Sequence, residues 1–244
     1  IFIILSIFTK NVMAENLSIK AINISIDKKT QSTIFKDSVV IEDEIGNIIK
    51  SDYAEYDKKN NIIYLKDNII LNDVENNILK TEQATYNEIL KIFKTDGETT
   101  FESSNGYTLE GSVISLNNEN KTIFSDNATK IKDLDGNTIS LENFEYIYSK
   151  KIFKSLGKIE VNDKKNNTYL FSQLIIDTKN NEMIGTDVKA YLNDDQFKFD
   201  KRNKPRIFSN TAQLKQSGTN FQKSTFTFCN YRKGDKCPPW EFSA

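Results

Sequence analysis

The 244-residue chain contains no histidine. That absence removes Ser-His and Cys-His nucleophile systems and the commonest metal-binding side chain. There are only two cysteines, Cys229 and Cys237, and two thiols without histidine make an incomplete zinc set. Nine glycines and three prolines are too few for collagen-like, glycine-rich or calcium-binding nonapeptide arrays. Neither sign of charge prevails, with 33 Lys and Arg against 34 Asp and Glu, so there is no basic footprint for nucleic acid. The apolar run from Ile1 to Phe8 is far shorter than the roughly 20 residues a membrane-crossing helix requires.

What the chain does have is a repeat. The stretch Gly46 to Asp73, GNIIKSDYAEYDKKNNIIYLKDNIILND, reads as strand, polar turn at Lys58 to Asn61, and strand. It returns in blocks starting at Asn16, Gly46, Asn76, Gly106, Gly136 and Asn166, a constant period of 30 residues without a gap. Ile19, Ile49, Leu79, Leu109, Ile139 and Tyr169 share one column, and Ile26, Tyr56, Tyr86, Leu116, Tyr146 and Ile176 another. Further pairs two apart, such as Ile69 with Leu71 and Ile159 with Val161, mark one face of a strand. Asp37, Asp67, Gly97, Asn127, Gly157 and Asp187 precede these pairs and are residue types that tolerate the positive φ of a tight turn or bulge. Each block is read as a strand pair with one buried face, and the fold class as all-β.

Local exceptions are resolved by comparing copies. EILKIFK, residues 88–94, looks helical alone but aligns with strand-forming NIIYLK and KTIFSD, so it is assigned to strand. Phe93 and Phe153 stand one position away from Tyr64 and Phe124 in the alignment, which implies turns one residue shorter in the third and fifth copies. After Asp194 the pattern decays into a shortened seventh copy, as at the end of an array. At the N-terminus, the apolar run followed by Val12-Met13-Ala14 reads as part of a signal peptide over residues 1–14, with export as the consequence. A buried N-terminal strand is the other reading.

The repeats resemble the organic-solvent-tolerance N-terminal module of the lipopolysaccharide transport proteins LptA, LptC and LptD. The tail, with Asn203-Lys204-Pro205-Arg206, Ser209 to Leu214, Cys229, Cys237 and Pro238-Pro239-Trp240, is similar to the LptD junction between periplasmic jellyroll and outer-membrane barrel. The resemblance implies a repetitive antiparallel open twisted β-jellyroll over residues 15–215. Residues 216–244 would be a cysteine-containing linker towards a barrel, on the periplasmic face of the outer membrane. It implies lipopolysaccharide as ligand, an LptA-like bridge protein as partner, and an LptE-like outer-membrane lipoprotein reached through the barrel. No cofactor is implied.

Six strand pairs, one strand of each in either of two facing sheets, would make a trough roughly 29 Å long. The column positions expected to line it are Ile49, Tyr56, Leu71, Leu79, Tyr86, Phe101 and Leu109, followed by Leu116, Ile131, Ile139, Phe144, Tyr146 and Ile159. An ordinary β-sandwich, in which the same columns pack against each other, is the alternative. The first strand region, with Leu17, Ile19, Ala21, Ile22, Ile24 and Ile26, carries little charge and no proline. It is therefore read as an edge for docking a partner's strand. Other readings are a freestanding LptA-like bridge, a β-solenoid adhesin, or a polysaccharide-cleaving enzyme. The last lacks support, because the recurring aspartates read as turn residues. Cys229 and Cys237, with seven residues between them, can close a local disulfide in an oxidising compartment; the LptD resemblance instead implies pairing with barrel cysteines.

Overall fold

The structure, a computed structural model, describes residues 13–14, 17–193, 205–215, 217–227 and 242–243. The expected signal remnant before Met13, and both cysteines, lie outside the described residues. The strands are β1 (Met13–Ala14), β2 (Leu17–Lys20), β3 (Asn23–Asp27), β4 (Ser32–Asp43), β5 (Ile48–Asp57), β6 (Ile62–Asn72), β7 (Ile78–Asn87) and β8 (Ile92–Glu102). Six short ones follow: β9 (Thr108–Ser112), β10 (Ser115–Asn117), β11 (Thr122–Ser125), β12 (Thr129–Lys132), β13 (Thr138–Leu141) and β14 (Phe144–Ile147). The remainder are β15 (Ile152–Asn162), β16 (Thr168–Asp177), β17 (Glu182–Tyr191), β18 (Arg206–Lys215), β19 (Gly218–Thr227) and β20 (Phe242–Ser243). All are linked in one antiparallel sheet, each long strand pairing with the next in sequence.

The long strands bend in their middle, and in β4, β6, β8 and β15 the bend is written into the sequence. The pairing register slips between Lys36 and Val39, between Lys50 and Tyr53, and between Lys66 and Ile69. Positive φ angles fall at these and the equivalent slips: 63° at Asp37, 64° at Asp67, 92° at Gly97 and 99° at Gly157, with a further 52° at Asp187. These are residues that the sequence marks as bulge or turn formers, and Asp37, Asp67, Gly97 and Gly157 are bulges here, whereas the register runs on unbroken past Asp187 and Asn127 does not take a positive φ. In the middle of the strands, where the ladder is interrupted, a buried hydroxyl takes up a backbone carbonyl two residues away. Ser51 Oγ donates to the Tyr53 carbonyl at 3.1 Å, Thr99 Oγ1 to Gly97 at 3.1 Å, Thr129 Oγ1 to Asn127 at 2.9 Å and Ser209 Oγ to Thr211 at 2.8 Å. Between β9 and β14 the bend is sharp enough to split each strand in two.

The bend corrects the expected layout. A strand does not stay in one of two sheets; each one gives one arm to a first wall and the other arm to a second. Every wall therefore contains twice as many strands as a one-strand-per-sheet arrangement, and each wall is about 60 Å long rather than half that. Two further expectations change. Phe93 and Phe153 share the column of Ile63 and Ile123, with turns of equal length at 88–91, 118–121 and 148–151, whereas Tyr64 belongs to the outer face and is 40% exposed. Of EILKIFK, residues 88–91 form the turn and β8 starts only at Ile92. The sheet also continues through β19, over residues expected to be linker.

Candidate functional site

Inward-facing residues pair across the strands into two continuous ladders. Along the first wall run Ile19, Ile41, Ile49, Leu71, Leu79, Phe101, Leu109, Ile131, Ile139, Val161, Tyr169, Ala190 and Ile207. Along the second run Ile26, Thr33, Tyr56, Ile63, Tyr86, Phe93, Leu116, Ile123, Tyr146, Phe153, Ile176, Met183 and Leu214. Near the bend the walls pack together; Ala54, Ile114 and Leu174 are wholly buried. Towards the two rows of turns they part. A cavity of about 330 Å³ lies there, between Ile49, Leu71, Phe101, Leu109 and Ile131 on one side and Tyr86, Phe93, Leu116, Ile123, Tyr146 and Phe153 on the other. That size falls in the usual range for small-ligand pockets.

Nine of the thirteen residues expected to line a trough border this cavity: Ile49, Leu71, Tyr86, Phe101, Leu109, Leu116, Ile131, Phe144 and Tyr146. The other four do not. Tyr56, Leu79 and Ile139 stand on the same ladders but are covered by their neighbours, and Ile159, paired with Phe171, sits nearer the bend. Phe144 stacks on Phe153 with ring centroids 5.5 Å apart. Phe93, Ile123 and Phe153 were missed, because a supposed shift in turn length moved their column by one.

Tyrosines give the mouth a polar fringe. Burial, then the carboxylates of Asp43 and Glu88, pushes the Tyr86 hydroxyl up to about 12. Burial, then Asp73 and Glu75, does the same to Tyr148, also to about 12. Tyr107 is raised by burial, then by Asp133, Tyr146 and Asp135. All three remain neutral phenols near neutrality, so the walls stay uncharged up to their rims. Two contacts cross the mouth: Lys151 Nζ reaches Glu75 Oε2 at 3.2 Å, and Tyr107 Oη donates to Asn181 Oδ1 at 3.2 Å.

Residues 14–124 match the family Lipopolysaccharide-assembly, LptC-related. The match runs from β1 into β11 and takes in Leu17, Ile49, Leu71, Tyr86, Phe101, Leu109 and Leu116 of the cavity. No curated protein matches the chain. Similarity to the LptC-related family thus covers the first half of the array, and the geometry repeats through the second half.

The first-wall turns also carry a device that column reading overlooked. Asp43 Oδ1 accepts from the backbone N–H groups of Ile45 and Asn47, and Asn47 Nδ2 donates to Asp43 Oδ2 at 2.7 Å. Asn47 Oδ1 then accepts from the N–H of Val74 in the next turn, 3.1 Å away. Asp73 with Asn77 repeats this and holds Ser104; Asp133 with Asn137 holds Lys164; Asp163 with Asn167 holds Asn193. The signal was present as aspartate and asparagine four apart at the 30-residue period. Ser103 and Tyr107 replace that pair in one turn, and there the ladder of side-chain links is interrupted.

At the array's first end, Leu17 is buried and lines the cavity, and Ala14 of β1 pairs with it. β3 has no second neighbour among the described residues. Ile24 and Ile26 lie on the inward-facing rungs, with Phe35 and Thr33, yet are 50% and 71% exposed. Ile22 is 73% exposed, while Ile19 and Ala21 are half-buried against the core.

Proposed function

We propose that this chain is a carrier for lipopolysaccharide in transit, holding acyl chains between its two apolar ladders with the sugar head outside the mouth. The observation that carries the reading is the pair of ladders that face each other along the whole array and part into a cavity, which a close-packed sandwich lacks. Similarity of residues 14–124 to the LptC-related family supports the ligand class. Each methylene withdrawn from water contributes about 0.8 kcal/mol, so one acyl chain in such a groove supplies enough for tight holding. The test is photo-crosslinking: probes at Leu71, Phe101, Leu109 and Phe153 capture lipopolysaccharide, and probes at Lys50 and Asp57 on the outer face and the turn do not. Equal capture by both sets defeats the reading.

The exposed Ile24 and Ile26 continue both the sheet and its inner face, so a second β-jellyroll of the transport chain, LptA-like, is the partner assigned to this end. Proline at Asn23, whose strand β3 is the free edge, abolishes that association while leaving thermal stability nearly unchanged; unaltered binding rejects it. Within the transport proteins, the tail from Asn203 to Trp240 favours a place beside an outer-membrane barrel, with the LptE-like lipoprotein reached through that barrel. A freestanding bridge is the second reading, supported by the family match alone. Mass spectrometry of the non-reduced native protein separates them: a peptide linking Cys229 to Cys237 supports a local loop, and a link from either cysteine to a barrel segment supports the LptD-like arrangement.

A further inference from the structure

The two rims of the groove carry opposite charge. The turns of the first wall, residues 43–47, 73–77, 103–107, 133–137 and 163–167, hold seven carboxylates and two lysines. Those of the second wall, residues 27–31, 57–61, 87–91, 117–121, 147–151 and 177–181, hold nine lysines and five carboxylates. The whole chain is nearly neutral, so this is a matter of placement, not of composition. At the cavity the asymmetry is local: Asp43, Asp73 and Glu75 border one side of the mouth, and Lys121 and Lys151 the other.

A second, independent feature singles out three of the lysines. The last residue of each second-wall turn is left-handed, with φ of 58° at Gln31, 53° at Asn61, 53° at Lys91, 57° at Lys121, 56° at Lys151 and 52° at Asn181. Asparagine accepts that conformation readily and lysine does not. Lysine nevertheless fills it in three successive repeats, and those are the repeats around the cavity. Their turns are two strands apart, which sets a spacing of about 10 Å. Lys91 and Lys121 make no ion pair among the described residues, and Lys151 is held only by the partly exposed Glu75.

We propose that Lys91, Lys121 and Lys151 form an anion-recognising row that selects amphiphiles with a phosphate-bearing head and keeps that head on the second-wall rim. This rests on the groove reading above. Acyl chains between the walls bring the head to the mouth, the acidic rim repels it, and a phosphate at Lys151 displaces Glu75. The row thus determines which amphiphiles are held and which way round they lie.

The test uses the native protein and a variant with Lys91→Asn, Lys121→Asn and Lys151→Asn, asparagine being what Asn61 and Asn181 already supply at this column. Two fluorescent probes of equal acyl length are titrated, one with a phosphate head and one with a neutral sugar head. The phosphate probe binds the variant roughly tenfold or more weakly and loses most of its salt dependence, while the neutral probe binds both proteins equally. Unchanged phosphate-probe affinity with intact neutral-probe binding overturns the lysine row alone. Failure of the neutral probe to bind the native protein overturns the groove reading and the row with it. Displacement of the phosphate probe by inorganic phosphate at comparable concentration makes the row a free-phosphate site and overturns the lipid-head assignment.

Discussion

Lys151 Nζ lies 3.2 Å from Glu75 Oε2, and the two residues belong to opposite rims of the groove although 76 positions separate them in sequence. Both side chains are partly exposed, so solvent screens the pair, and its worth to the fold is at most about 1 kcal/mol. Glu75→Gln is expected to leave the thermal midpoint within a few degrees of native. Spin labels placed on residues 74 and 150 should nevertheless report a broader distance distribution across the mouth. An unbroadened distribution shows that the contact does not hold the rims together.

The side-chain links between successive turns should matter more. Asn77→Ala removes the bond to Asp73 and leaves the Ser104 N–H without its acceptor, which is expected to cost about 1–2 kcal/mol by urea denaturation. The same change at Asn60, whose side chain bonds only within its own turn, should cost less. Equal losses would mean that the link between repeats adds nothing.

Gly185 has an ordinary backbone conformation but no room for a side chain. A Cβ there would lie 2.1 Å from Phe171 Cδ1, and Phe171 is only 4% exposed. Gly185→Ala should destabilise by about 1–3 kcal/mol through overpacking. Gly185→Ala combined with Phe171→Leu should recover part of it. Gly136, with φ of 85° and open space around it, isolates the other cause, since alanine there is strained by conformation alone.

Alkaline titration offers a test of the mouth. Tyr86, Tyr148 and Tyr169 all have hydroxyls pushed up to about 12, burial being the first cause in each case. The folded state holds these protons more tightly than the unfolded chain does. The stability linked to them is therefore fully present below pH 10 and is lost as the pH rises from 10 towards 12. Absorbance at 295 nm should show at least three late-ionising phenols in the native protein, and the unfolding free energy should fall over that window. Loss of stability beginning well below pH 10 would contradict this assignment.

The repeat was legible because the same residue types return at a fixed period, and Asp67 or Gly97 announce a bulge by chemistry alone. The destination of the strand after the bulge was not legible. A residue with positive φ looks the same in sequence whether the chain reverses or merely bends, and only the pairing of Lys66 with Gln83 and Ile69 with Thr81 shows that the strand carries on into the other wall. Periodicity likewise placed Leu79 and Phe101 on one face without telling that Leu79 is covered and Phe101 borders the cavity. Depth depends on the opposite wall, which is far away in sequence. Asn47 was readable as a turn residue, but its bond to Val74 requires the next turn to lie alongside.

Because each strand passes through the bend into both walls, the walls cannot shift past one another along the array; they can only swing apart about that line. In the carrier proposed above, a guest moving lengthwise meets a new pair of strands at each step of about 10 Å, and the rungs differ: Phe101 and Ile131 border the cavity, whereas Leu79 and Ile139 are covered. The stretch of wall that borders the cavity is the resting place of such a guest. In that carrier, directed movement must come from its two ends, from what loads one and what unloads the other.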